Sequence, residues 1–298
     1  ILFAPLPPEL PGQRDISYEA KPEVTKTAEP AGLRQPLLVW DIPTTDANRK
    51  VIGVNITYSA ELLSRKLVPL GPGETPPDVP PLPLEQRAAF TASSTLLDFH
   101  LPAFQEWLAQ HRLRPTGDET DLDFGRRLFL HLKEEAAFEF KEDLDRRPSR
   151  VCQTMKSDCA GLTALYVAVM RASGIPARQI VGRWALSAKK DEMLYGKPWQ
   201  QEHVKAEFFT AGIGWVPVDI SAAVDFDKVP GSLERFASDA GDFLAFHIDA
   251  EMTLDVPKLG RRTVQYLQEP AVYSLGPGTF DGQIKRSEWT VDHRWPGR

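Results

Sequence analysis

Cysteine is nearly missing from this chain: two thiols, Cys152 and Cys159, stand among 298 residues. That excludes a disulfide framework. A bridge between the two, seven positions apart, is conceivable, but it would consume any thiol that does chemistry. Long apolar runs are missing as well. The longest, "GLTALYVAVM", falls far short of the roughly 20 residues that cross a bilayer, so no membrane-spanning segment is expected. Positive charge is not in excess: 35 Lys and Arg face 41 Asp and Glu, for a net charge of −6 and a pI near 5.6. A phosphate-binding surface, and with it a nucleic-acid partner, is therefore not expected. The basic groups "GRR" at 125–127 and "DRRPSR" at 145–150 are interleaved with acids and read as solvated helix ends. No charged n-region followed by an apolar h-region is visible. The chain starts at Ile1 rather than Met, as a trimmed or processed form would, and an extracytoplasmic setting is preferred to a cytoplasmic one.

Proline is plentiful, at 26 residues, and unevenly spread. "APLPPELPGQ" at 4–13 cannot be a helix interior. Between about 16 and 70 the pattern is β: "QPLLVWDIP" is an apolar run, and "KVIGVNITYSA" alternates, with Ile52, Val54, Ile56 and Tyr58 on one face. The proline-dense "VPLGPGETPPDVPPLPLEQ" at 68–86 reads as a stiff extended linker. The chain is thus divided into 1–85, a small β domain plus linker, and 86–298. Beyond the linker "LPAFQEWLAQHRL" and "TDLDFGRRLFLHLKEEAAFEF" carry apolar residues at helical spacing, the second with a cap in Thr120 or Asp121. Residues 177–220 read as strands, and 221–298 as mixed loops and strands.

"SDCAGLTALYVAVMRASGIP" at 157–176 predicts a helix with defined ends. Asp158 is its N-cap, Leu162, Leu165, Tyr166, Val169 and Met170 form a core stripe, and Gly174 with Pro176 stops it. Cys159 therefore falls at the first helical position. There the unpaired N–H groups and the helix dipole favour negative charge and lower a thiol's pKa. A small buried hydrophobe is the plain alternative, so a partner base decides.

"EHVKAEFFTAGIGWVPVDIS" at 202–221 supplies one. Its halves alternate as two strands around a turn at "TAGIG". A loop of Thr210, Ala211 and Gly212, with Gly212 supplying the positive φ, sets Phe209 opposite Ile213, Lys205 opposite Pro217 and His203 opposite Asp219. His203 and Asp219 then share a polar face, where a carboxylate fixes the imidazole in one tautomer. A metal site from Cys152, Cys159, His203 and Asp219 is the weaker reading, because the seven-residue gap is not a usual ligand spacing.

In "SDCAGLTALYVAVMRASGIPARQIVGR", "HVKAEFF" and "GIGWVPVDIS" the sequence resembles the transglutaminase-like superfamily, in particular bacterial members described as cysteine proteases. The resemblance covers about 120–260. It implies an α+β fold: a papain-like, transglutaminase-like core, its Cys-bearing helix packed on an antiparallel sheet, preceded by a small β-sandwich-like N-terminal domain. It also implies Cys159 as nucleophile, His203 as general base and Asp219 as orienting carboxylate, in a cysteine protease or amidase working through an acyl-enzyme on a peptide or protein substrate. A transamidase of the protein-glutamine γ-glutamyltransferase type and a non-catalytic peptide-binding module are the alternatives. Two departures stand out: Ser157 in place of the usual Gly, and Lys205 in place of a common Trp. Gln153 is a candidate second oxyanion donor, a loop glutamine being the alternative. Trp184 and the insertion "SAKKDEMLYGKPWQQE" fall where a cleft wall is expected, with Trp199 and Tyr195 as substrate contacts or as parts of an interaction loop. No cofactor or metal is expected, and no EF-hand-like run of acids occurs.

Overall fold

The structure, a computed structural model, describes residues 1–28, 35–43, 53–185, 193–194, 197–198 and 202–276. It has two compact units. One comprises 1–63, 181–202 and 241–298, the other 64–180 and 203–240. This differs from a cut at residue 85. The proline-rich stretch falls in the second unit, and C-terminal strands join the N-terminal ones in the first. Hydrogen bonding across a sheet depends on which strands meet, and sequence order does not reveal that.

In the first unit the run "LLVW" forms a strand, Leu37–Trp40, that is buried on both faces. It pairs antiparallel with Leu2–Pro5, which in turn takes Ala271–Val272 on its other edge. Alternation sends Leu37 and Val39 into one cluster with Phe3, Met252, Leu254 and Val256. Leu38 and Trp40 enter another, packed by Tyr18, Ile56 and Tyr58. The predicted alternation holds over the first part of Asn55–Leu62, with Asn55, Thr57 and Ser59 exposed and Ile56, Tyr58 and Ala60 half-buried. Two buried glutamines bond strand Phe243–Ile248 as a neighbouring backbone would. Gln13 donates to the Ala245 carbonyl at 3.0 Å and accepts from its N–H at 2.8 Å. Gln35 does the same at Ile248, at 2.9 and 2.6 Å.

The second unit is built around helices. In chain order they are α1 (Leu84–Ala89), α2 (Pro102–Gln110), α3 (Asp121–Glu135), α4 (Pro148–Thr154), α5 (Cys159–Ala172) and α6 (Ile220–Phe226). Thr120 caps α3, its side chain accepting from the Asp123 N–H, with Asp121 and Asp123 set against the positive end of the dipole. Phe124, Leu128, Phe129 and Leu132 of α3 are buried. So are Phe104, Trp107 and Leu108 of α2. α5 is different in kind: every residue from Ala160 to Arg171 is buried. A helix apolar on all sides belongs in the middle of a core, and each fully buried large apolar side chain there contributes about 1.5–3 kcal/mol. Its few polar groups are matched. Thr163 donates to the Val204 carbonyl at 3.0 Å and Tyr166 to the Gly125 carbonyl at 3.1 Å. Arg171 donates to the carbonyls of Ala177 and Ala92 at 2.7 and 3.0 Å.

Beside α5 lies the histidine strand, Glu202–Thr210, paired antiparallel with Gly214–Val218. The turn is Ala211, Gly212 and Ile213, with Gly212 at φ 78°. Phe209 therefore opposes Trp215 and Glu207 opposes Pro217, two residues away from the counted register. A slip of two keeps every side chain on its face. The face read as polar and solvated is in fact buried: His203, Lys205 and Glu207 are 6%, 6% and 3% exposed. Charge is tolerated there because each group is paired. Glu207 is gripped by Arg65 and by Arg178, whose Nη2 and Nε lie 2.6 and 2.9 Å from Oε2. The Arg178 guanidinium also stacks 3.8 Å over the Trp215 ring. Lys205 donates to Asp239 at 3.1 Å.

Burial alone would raise the Glu207 pKa, but Arg178 and Arg65 outweigh it and hold it below its ordinary 4.5. Its contribution to stability is thus present above pH 4.5 and lost as pH falls through the lower folded value. Glu207→Gln leaves the buried Arg178 guanidinium, and the half-buried Arg65 beside it, without this counter-charge. It is expected to cost about 3–5 kcal/mol at pH 7, read by urea unfolding. The gap from wild type should narrow in unfolding series run at progressively more acidic pH.

Candidate active site

α5 begins where its sequence predicts. Asp158 is extended, with ψ −169°, and its side chain accepts from the Gly161 N–H at 3.2 Å, so Cys159 occupies the first helical position. Ser157, in place of the family's usual Gly, has no left-handed backbone and is fully buried. The segment Lys156–Ser157 pairs in parallel with Ala137–Phe138, which fixes the approach to the thiol. Gly161 explains how close that approach is. A Cβ there would lie 2.0 Å from the Ser157 hydroxyl oxygen and 2.8 Å from its Cβ.

Cys159 is half-buried, and neither it nor Cys152 is in a disulfide. The N–H groups of Val204 and Ala160 point to its sulfur. Val204 follows His203, so the strand carrying the imidazole runs alongside the thiol. The helix start does not by itself lower this thiol's pKa. Burial, then the charges of Asp158 and Asp219, push the Cys159 pKa up beyond its ordinary range, and the two backbone donors offset this only in part. A thiolate here needs a neighbouring cation.

His203 and Asp219 meet. His203 Nε2 lies 2.9 Å from Asp219 Oδ2 and 3.0 Å from Oδ1, with both side chains buried. In the observed register the two are diagonal neighbours rather than directly opposed, still within reach of a long side chain. Asp219 does more than close a strand. It caps α6, its Oδ1 accepting from the Ala222 N–H at 3.1 Å. The small apolar residues after "VDIS" were the available sign of that helix. Burial works against the Asp219 carboxylate, but His203, with Lys205 and Arg235, holds its pKa below the usual range.

The remaining candidates lie elsewhere. Gln153 is exposed on α4, its Oε1 taken by Arg150 at 3.2 Å. It borders a surface cleft of about 430 Å³ with Trp107, His111 and Cys152. Trp184 is 2% exposed and packs edge-on against Phe243 inside the first unit. Trp199 and Tyr195 lie outside the described residues. Cys152 is buried, and burial with the nearby Asp98 pushes its thiol up to about 11. Among the described residues no group of three or more His, Cys, Asp or Glu could hold a metal ion, and no helix is long and apolar enough to cross a membrane.

A thiol at a helix start, an imidazole strand beside it and a carboxylate on that imidazole occur in order along one segment. Residues 110–220 match the family model of the Transglutaminase-like superfamily. A Haemophilus influenzae protein, described as uncharacterised, is 38% identical over 77 residues, 22% of this chain and 21% of that protein. The match thus spans about a fifth of that relative's length. A putative cysteine protease from Cytophaga hutchinsonii shares the fold, with a TM-score of 0.51 at 10% identity over 94% of this chain and 88% of that one. The periplasmic domain of TgpA from Pseudomonas aeruginosa aligns at a TM-score of 0.39 and 16% identity, over 52% and 53% of the two chains.

The tight contact between Gly161 and Ser157 can be tested directly. Gly161→Ala forces the first turn of α5 away from Ser157 and should cost about 1–3 kcal/mol, seen as a lower melting temperature. Ser157→Gly in the same chain removes the clashing atoms and should restore most of the loss.

Proposed function

We propose that the protein is a thiol-dependent acyl-transfer enzyme, a cysteine protease or amidase, with Cys159 as nucleophile, His203 as base and Asp219 as orienting carboxylate. The transglutaminase-like match and the fold shared with a cysteine-protease-like structure support a thiol enzyme in general. The observation that carries the finer reading is the grip of Asp219 on His203 Nε2 at 2.9 Å, on the strand whose next N–H reaches the Cys159 sulfur. With Nε2 held by Asp219, this reading assigns the thiol proton to Nδ1.

The high thiol pKa gives the base its role. Burial disfavours a lone thiolate at Cys159, so the proton must move to His203 and form an ion pair, which Asp219 stabilises from the far side of the ring. The thiolate attacks an amide or ester carbonyl. The Cys159 N–H, free of helical bonding at the first position, supplies one donor to the developing oxyanion. The imidazolium returns its proton to the leaving amine or alcohol, leaving an acyl-enzyme. Water then releases the acid in a hydrolase, and an amine releases a new amide in a transamidase.

Thiol alkylation across pH, followed at the Cys159 peptide by mass spectrometry, tests this reading. Wild type should alkylate readily below pH 7. His203→Ala should lower that reactivity by about 10²–10⁴-fold, the range over which a general base contributes, and Asp219→Asn should weaken it by less. Cys159→Ala should abolish turnover of a peptide and amide panel, and an added amine should divert the product only in a transamidase. An ordinary thiol at Cys159, indifferent to His203, would sink the proposal.

A further inference from the structure

The loop ahead of α4 reaches back to the start of α5. Arg146 donates through Nε to Asp158 Oδ2 at 2.8 Å, and its Nη2 lies 2.7 Å from the same oxygen. The other carboxylate oxygen accepts from the Gly161 N–H. Further guanidinium N–H groups reach the carbonyls of Leu144 and Lys141, each at 3.4 Å. The segment 141–146 is thus folded around the cation. The pair is largely out of water, with side chains 23% and 4% exposed. Residues 145–150 are therefore not simply a solvated helix end. Arg147 pairs with Asp145 at the surface, whereas Arg146 turns inward.

A helix cap needs only a neutral acceptor, and Asn or Ser would serve. An aspartate next to a nucleophilic sulfur adds a charge that opposes a thiolate. The charges that act on Cys159 are those of Asp158 on its own helix and Asp219 at the start of α6, and Asp219 in turn faces His203 and Lys205 of the histidine strand and Arg235. Two of these are carboxylates. Asp219 is held by His203 and lies near Lys205 and Arg235, and Asp158 has its counter-charge in Arg146.

We propose that Arg146 is a positioning residue for the Cys159 thiol: by gripping the cap carboxylate of Asp158 it fixes the first turn of α5 and offsets the negative charge beside the sulfur. The inference rests on the reading of Cys159 as a nucleophile. It makes the loop 141–146 part of the machinery that readies the thiol, acting through Asp158 rather than on substrate.

The test is the pH dependence of iodoacetamide alkylation at Cys159 in the full chain, with thermal unfolding in parallel. Arg146→Met should raise the alkylation midpoint by about one pH unit, so the rate below it falls about tenfold. Arg146→Lys, which keeps the charge and loses the fork, should recover part of that. Asp158→Asn keeps the cap acceptor without the charge, and in that background Arg146→Met should no longer move the midpoint. A lower melting temperature with an unchanged midpoint, in both Arg146 variants, would reduce Arg146 to a structural clamp and overturn the inference. So would a shift that persists in Asp158→Asn. If wild-type Cys159 titrates as an ordinary thiol while Arg146→Met still raises its midpoint, Arg146 is coupled to the sulfur but the nucleophile reading falls, and the positioning role falls with it.

Discussion

The burial of α5 on every side is the constraint on which the rest of this structure depends. A helix with no solvated face along its middle must have its polar side chains and its buried first turn matched inside the protein. At the C-terminal end Arg171 meets two carbonyls. At the N-terminal end Asp158 caps Gly161 and is in turn held by Arg146. The same burial brings the histidine strand against the helix, tied by Thr163 to the Val204 carbonyl. Placing the thiol beside the imidazole strand is a consequence of packing an apolar helix against that strand.

That packing also determines what was legible in the sequence. The helix, its cap and its stop follow from local chemistry: an aspartate before a cysteine, an apolar run, then Gly174 and Pro176. The shared face of His203 and Asp219 follows from parity alone. The counted register was two residues off, because the turn is Ala211 to Ile213 rather than Thr210 to Gly212, yet a slip of two leaves both side chains on one side of the sheet. A slip of one would have separated them. Strand alternation is robust to the commonest turn-counting error, and the pairing survived for that reason.

What did not show was whatever depended on distant segments. Alternation of His203, Lys205 and Glu207 with apolar neighbours reads as a half-solvated strand. It is a fully buried one, whose charges are met by Arg65, Arg178 and Asp239 from three other places in the chain. Nothing near "HVKAEFF" announces those partners. The first unit gives the same lesson in backbone form. Its sheet joins residues 2–5 to 271–272, a closure that no composition shift marks. The exposed Gln153 and the buried Trp184 were placed by separation along the chain, and their surroundings answer to packing instead.

The thiol shows how a local rule yields to its setting. A helix dipole supplies a partial positive charge worth about 0.3–1 kcal/mol at an exposed end. Desolvating an anion opposes it, and at Cys159 this is the first of the effects that raise the thiol's pKa. Two carboxylates beside Cys159 act in the same direction as burial. Together they push the thiol's pKa up rather than down. On the proposed reading the thiol reacts only as half of an ion pair. Its acidity would then come from the imidazole on the strand and the guanidinium behind the cap more than from the helix on which the sulfur sits.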